Sequence, residues 1–193
     1  MFKRFRQFTG RFASDESHFN TLKSGDNASA LDALHHLKER EWLQTGKLRQ
    51  RDLSQAKLNK ATFARAELRG VNFSVAQLRQ AYFFEAQMQE VLLIGADLTD
   101  ANLRAAILPL ADFSRAVCLR VNLARADLSG ARLHNANLNE ANLWAANLQS
   151  ADLTDADLKG ANFANVTCDE ETVLPDGRKW SSGVDWSHFG ATS

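Results

Sequence analysis

The sequence predicts an all-β solenoid, a chain of short extended segments that turns a corner every five residues, with an α-helix closing its start. Three observations predict it. Residues 51–170 repeat the pattern Ala-x-Leu-x-x 24 times without insertion or deletion, as in Ala101-Asn-Leu103, Ala126-Asp-Leu128, Ala136-Asn-Leu138 and Ala151-Asp-Leu153. A period of five fits neither regular element, since five residues turn an α-helix through about 500° and an odd step along a strand alternates its face. Just before the array, leucines recur at helical spacing behind a run of N-cap residues. A strict self-similar period outranks any window-by-window reading of secondary structure.

The chain has 193 residues and 45% apolar composition, which suits one repeat domain with caps and excludes a disordered chain. Its expected parts are an N-terminal segment and helical cap over 1–45, the repeat prism over 46–170 and a capping tail over 171–193. The formal charge is 0, which argues against a general polyanion binder and so against nucleic acid. The distribution is uneven: residues 47–79 carry eight basic and two acidic residues, whereas 80–170 carry six and twelve. Either the surface composition drifts, or the basic start is a charged end that orients a partner.

Met1 to Thr21 places Phe2, Phe5, Phe8 and Phe12 near one helical face, with Lys3, Arg4, Arg6 and Arg11 elsewhere. Three alternatives stay open here. A basic amphipathic segment suits attachment to an anionic membrane surface through residues 1–12; the four Phe equally suit packing on the rest of the protein, Thr9-Gly10 interrupting the helix; a disordered leader is the third. Asp26-Asn27-Ala28-Ser29 then offers N-caps, and Leu31, Leu34, Leu37 and Trp42 follow at helical spacing up to Gly46. The open end of a solenoid exposes apolar core and unpaired backbone, so this helix is expected as its lid. His35 and His36 lie on it with no Cys or carboxylate partner at ligand spacing, and no metal is expected.

Within the array, the first position of every repeat after Arg51 is Ala or Val, and the third is Leu or Phe except at Met88, Cys118 and Cys168. Two residues apart on an extended segment, these point inward together, and polar residues take the corners. The pattern resembles the pentapeptide-repeat family, whose consensus is a small residue, Asp or Asn, Leu or Phe, a small polar residue and often Gly. The resemblance implies a right-handed quadrilateral β-helix of four repeats per coil and about 6 coils, stacking residues 20 apart. The outward side chains make sensible ladders at that spacing: Asn102, Asn122, Asn142 and Asn162 form an amide ladder, Asp112, Arg132 and Asp152 alternate in sign, as do Asp100, Arg120 and Glu140, and Arg65 meets Glu85. Cys118 and Cys168 replace inward leucines and read as small buried hydrophobes in a reduced chain.

After Cys168 the period stops. Leu174-Pro-Asp-Gly-Arg-Lys-Trp180 reads as a tight turn between extended pieces, and resembles the C-terminal tail of bacterial pentapeptide-repeat proteins; Trp180, Trp186 and Phe189 are expected as the second lid.

No catalytic constellation stands out, so the chain reads as no enzyme, with no cofactor and no metal. Of the five His, only His134 lies in the array, and its ladder neighbours Ser114 and Thr154 give it no orienting acid. There is no Gly-rich phosphate loop, HExxH or paired Cys motif. The informative deviations are outward positions that turn apolar: Tyr82, Phe84, Leu92, Ile94, Ile107, Pro109, Leu110, Val117, Leu119 and, later, Trp144. Exposed apolar area marks an interaction surface, unless these side chains cover one another or the N-terminal Phe segment. Pro109, lacking a donor, is expected to break the ladder. The reading is a rigid scaffold that binds another protein through its mid-prism surface, in a bacterial cytoplasm, as a monomer or weak homodimer; no membrane span and no secretory signal core are visible. One alternative comes from the quinolone-resistance members of the family, which imitate duplex DNA to bind gyrase; that needs a long, strongly acidic surface, which this neutral chain lacks. The other is a membrane-surface protein held by the N-terminal Phe and Arg residues.

Overall fold

The computed structural model describes residues 14–192, and the first 12 residues, with Phe2, Arg4, Phe5, Arg6, Phe8 and Phe12, lie outside them. The array forms the quadrilateral β-helix. Parallel bridges join residues 20 apart on four faces, the first through Asp52, Asn72, Leu92, Asp112, Arg132 and Asp152, the second through Lys57 to Asp157, the third through Thr62 to Asn162 and the fourth through Glu67 to Thr167.

The backbone explains why the period is five. In each repeat the third-position N–H donates to the second-position carbonyl one coil on, as Leu53 does to Asn72 at 2.8 Å, and the fifth-position N–H donates to the fourth-position carbonyl, as Gln55 does to Ser74 at 2.9 Å. The corner closes when the next first-position N–H donates back to the third-position carbonyl, Ala56 to Leu53 at 3.2 Å. Every fifth residue from Gln50 to Asn165 takes a positive φ, between 54° and 71°, so each corner is a type II turn. Gly fills only four of the array's corners, at positions 70, 95, 130 and 160; at the others the ladder bonds offset the left-handed cost of a side chain. The second-position N–H donates to the first-position carbonyl one coil back, as Asn72 does to Arg51 at 2.9 Å, and the remaining amide, at the fourth position, is bound by the Asp or Asn two residues before it where there is one: Ser74 to Asn72 Oδ1 at 2.9 Å, Ser114 to Asp112 Oδ1 at 2.9 Å, Ser129 to Asp127 Oδ1 at 3.1 Å. The recurrent Asx of the consensus is therefore a corner acceptor.

Pro109 does not break the ladder. Ile107, Leu108 and Leu110 all donate normally, and the Pro109 carbonyl accepts from Glu90 at 3.0 Å. Proline occupies the one position whose amide makes no ladder bond, in a repeat whose second residue, Ile107, offers it no acceptor.

First- and third-position side chains are buried from Leu53 to Phe163, and only Arg51, Val166 and Cys168 at the array's two ends are partly exposed. Phe63 and Phe83 stack at 5.1 Å, and Phe73 from the opposite wall meets both edge-on at 5.7 and 6.0 Å. Cys118 is buried, and desolvation pushes its thiol up to about 12; Cys168 is partly buried and raised to about 11 for the same reason.

Two helices cover the first coil. α1 (Asp15–Ser24) is a helix that sequence spacing does not separate from the leader; Ser14 caps it by accepting from Ser17. α2 (Asn27–Glu39) begins at the expected cap, Asp26 accepting from Ser29, but stops before Gly46. Glu41, at φ 61°, ends it in a Schellman turn, with Trp42 N–H donating to Leu37 and Glu41 N–H to Lys38. Phe19, Leu22, Leu34, Leu37, Trp42 and Leu43 seal the prism, and Asn27 exchanges two hydrogen bonds with the Asn59 backbone. The tail closes the other end. Val173 extends the first face and Thr192 the third, Leu174 to Arg178 form a turn through left-handed Gly177, and Trp186 stacks on Phe163 at 4.4 Å.

Ion pairs pin the N-terminal cap to the prism, Lys23 to Asp52 and Arg51 to Glu16, while Arg40 ties the end of α2 to Asp15 of α1. The Lys23 ammonium, with the hydroxyl and amide of Ser54, holds the Asp52 carboxyl down at about 2; the guanidinium of Arg40 and that of Arg51 likewise lower Asp15 and Glu16. Carboxyls that protonate less readily folded than unfolded contribute stability that is complete above their ordinary value, 3.8 for Asp52, and lost as pH falls through about 2. Denaturant titrations are expected to show stability falling over that window, and Asp52→Asn to flatten the fall. Identical pH profiles for the two proteins would show that this pair contributes nothing.

Candidate partner-binding surface

The 20-residue register decides which outward apolar residues meet. Tyr82 and Phe84 lie on the third face with Trp144; Leu92 and Ile94 lie on the first, opposite, with Val75; Val117 and Leu119 lie on the second; Ile107, Pro109 and Leu110 lie on the fourth. Neighbours in sequence thus become a girdle around the second to fourth coils, with Trp144 one coil further on. Tyr82, Leu92, Leu110 and Val117 are exposed, Leu110 at 64%, and Phe84, Ile94, Ile107, Pro109, Leu119 and Trp144 are half-buried. Val75, a corner residue that sequence reading passes over, is 61% exposed.

Part of the girdle does cover itself. Phe84 stacks on Tyr82 at 6.1 Å, and Arg104 lies over the Phe84 ring at 5.8 Å, as Arg125 lies over Trp144 at 4.9 Å. The Leu110 side chain leans over the next corner, where a Cβ on Gly130 would stand 2.8 Å from its Cδ2. Because Tyr82, Leu92 and Val117 replace the corner Asx, the amides of Phe84, Ile94 and Leu119 make no hydrogen bond within the described residues. The amides of Ala64, Arg69, Gln89 and His134, behind Thr62, Glu67, Gln87 and Arg132, make none either within the described residues, so the open amides alone do not mark a site.

Most of the early basic residues are paired, with Lys57 and Lys60 the exceptions among the described residues. Arg49 pairs with Glu67, Arg65 with Glu85, Arg69 with Glu90 and Arg79 with Asp97, each reaching toward the next coil, while Arg51 and Lys47 face the acidic start of α1. Further along, Arg120 forks onto Asp100 at 2.7 and 3.1 Å. Exposed pairs of this kind contribute about 0–1 kcal/mol each and chiefly fix register.

Two histidine expectations need correction. His134 does have an acid: its Nε2 stands 2.7 Å from Asp152 Oδ2, a diagonal neighbour one coil on. Burial opposes ionisation of Asp152, but hydrogen bonds from Thr154, with His134 beside it, outweigh that and hold the carboxyl low. No hydrogen bond joins His134 to Ser114 among the described residues, so no nucleophile completes a triad. His35 and His36 also have carboxylates in reach, Glu39 at 3.3 Å and Asp32 at 3.7 Å; no group of three or more ligands that would hold a metal ion occurs among the described residues. No helix among them is long and apolar enough to cross a membrane.

Four-sided coils of five-residue turns, sealed at both ends, define a pentad-repeat β-solenoid. Residues 52–83, 81–117, 116–155 and 126–165 match the pentapeptide repeats, in 8 copies, and the chain belongs to the pentapeptide-repeat family. Among solved structures it is similar to HetL, a pentapeptide-repeat protein involved in heterocyst differentiation regulation in the cyanobacterium Nostoc sp. strain PCC 7120, with 32% identity, a TM-score of 0.51 and coverage of 62% of this chain and 59% of that one. It is also similar to Rfr23 from the cyanobacterium Cyanothece 51142, at 26% identity over 65% of this chain and 89% of that one, TM-score 0.45. A further match is to trypsin-treated QnrB1, a plasmid-mediated fluoroquinolone resistance protein, at 18% identity over 76% of this chain and 72% of that one, TM-score 0.37. The chain thus spans about three-fifths of the HetL structure. No curated protein matches the sequence.

Proposed function

We propose that the protein is a rigid, non-enzymatic scaffold that binds a partner protein through its mid-prism surface. The observation that carries this reading is the girdle itself: Tyr82, Leu92, Leu110 and Val117 stand exposed at positions that Thr, Asn, Asp, Glu or Gly occupy on neighbouring coils, and no element of the described residues covers them. Burying half of such side chains against a partner supplies several kcal/mol at roughly 1.5–3 kcal/mol each. A prism whose every repeat is ladder-bonded does not remodel on binding, so little ordering entropy opposes that gain. The family relationship supports the reading, since HetL, 32% identical over the matched part, is a pentapeptide-repeat protein involved in the regulation of differentiation.

Phe84→Asp combined with Ile94→Asp is expected to leave the melting temperature nearly unchanged and to abolish association with the native partner or with a second copy. The melt decides: a loss of several degrees in the isolated variant would make these residues internal packing. Because the two positions lie on opposite faces, each single variant reports on one face alone.

A further inference from the structure

The third face differs chemically from the other three. The repeats of each of the others carry four or five carboxylates; those of the third carry one, Glu85, and it is paired with Arg65 at 2.8 Å. Four cations on or beside this face enter no ion pair among the described residues: Lys38, Lys60, Arg104 and Arg125. Arg104 and Arg125 lie over Phe84 and Trp144, while Lys38 and Lys60 border a 260 Å³ cleft beneath α2 whose apolar lining is Leu31 and Leu34 and which opens on Thr62, one rung before Tyr82. Between the aromatics, Asn102, Asn122 and Asn142 accept backbone N–H bonds through Oδ1 at 3.0, 3.1 and 3.1 Å. A backbone donor fixes which amide atom is oxygen, so each Nδ2 is left a donor with no acceptor in the described residues.

Cations, amide donors and rings therefore share one strip from the first coil to the fifth, four rungs or about 19 Å long at 4.8 Å each, the reach of about six residues of extended chain. We propose that this strip docks an extended acidic segment of a partner protein, its carboxylates meeting the Lys and Arg heads and its apolar side chains meeting Tyr82, Phe84, Trp144 and the α2 cleft. The proposal rests on the scaffold reading and names one face and one partner chemistry. Charge complementarity selects that partner, because carboxylates are what the strip lacks and what would neutralise its four unpaired cations. A single-stranded nucleic acid fits less well, since Arg104 and Arg125 each take up a face of Phe84 and Trp144 on which a base would stack.

The test selects random dodecapeptides displayed on phage against the immobilised full chain, then measures a selected peptide by fluorescence anisotropy. Selected sequences should carry two or more Asp or Glu beside Leu, Phe or Trp, and bind more weakly as salt rises. Arg104→Glu with Arg125→Glu should weaken binding by about tenfold or more, Arg104→Gln with Arg125→Gln by less, and Arg115→Glu with Lys159→Glu, on other faces, hardly at all; circular-dichroism melts establish that each variant is folded. Selected peptides without acidic residues, indifference to the Arg104 and Arg125 reversal, or tighter binding of oligothymidylate than of the peptide would overturn the strip. Peptides that lose binding with Ile94→Asp but not with the arginine reversals would leave the scaffold reading standing while the strip falls.

Discussion

Leu123→Asp is expected to abolish the cooperative fold, while Asn137→Asp, fourteen residues away in the same array, melts within a few degrees of the parent. Leu123 is fully buried on the inner wall of the third face, and its N–H is bonded to the Asn142 carbonyl at 2.8 Å. A carboxylate there faces buried Leu103 and Leu143 on the adjoining rungs and buried Phe113 on the opposite wall, none of which can satisfy it. The cost is several kcal/mol of desolvation added to the lost packing, comparable to the whole stability of many domains. Nor does the site relax, because each coil is bonded to the one above and the one below. Asn137 sits outward at a second position, where its Oδ1 accepts from the Asn139 amide at 3.0 Å. Asp keeps that acceptor, as Asp97 does on the same face, where it accepts from the Thr99 amide at 3.0 Å, and its like-charge neighbour Asp157 one rung on costs at most about 1 kcal/mol. Equal melts for the two variants, read by circular dichroism, would overturn the inward assignment of the third position.

Deleting residues 1–45 is expected to convert the protein into soluble oligomers or aggregate. Phe19, Leu22, Leu34, Leu37, Trp42 and Leu43 leave with the segment, each burying apolar surface worth roughly 1.5–3 kcal/mol. What remains at the open end is a ring of inward side chains, Leu48, Leu53, Leu58 and Phe63 among them, around a backbone edge that has lost its bonds from Asn59 to Asn27 and from Glu67 to Leu43. An apolar floor ringed by unpaired donors is a template for another molecule. A truncated protein that stays monomeric by light scattering would show that another element closes this end.

The fold is legible in the sequence because one rule, repeated, carries it. Small first residues, large third residues and the Asx between them assign every wall, and the charge alternation of Asp100 with Arg120 checks the register. The left-handed corners are less legible, since Gly appears at only a few and residues as different as Gln, Arg, Glu, Asp, Val and Leu fill the rest; the ladder, not residue preference, imposes the conformation. α1 has a short, mixed composition that local pattern does not separate from the leader. The His134 to Asp152 contact is diagonal, so comparing only residues 20 apart misses it. The surface was hardest to read, because stretches such as 82–94 look contiguous along the chain and yet lie on opposite walls. Arg104, Arg125, Lys38 and Lys60 carry no local signal at all; they stand out only when repeats are sorted by face and their ion pairs struck off.

The 20-residue register makes facial identity a matter of phase. Removing one full coil shortens the prism and leaves every later residue on its own wall. A five-residue insertion or deletion is equally silent to the fold, since each repeat supplies the same turn, yet it rotates everything downstream by a quarter turn. Trp144 would leave the wall of Phe84, Asn142 would leave the amide column, and the surface would be recoded without one substitution. For this architecture an indel of five is a conservative event for stability and a frameshift for recognition.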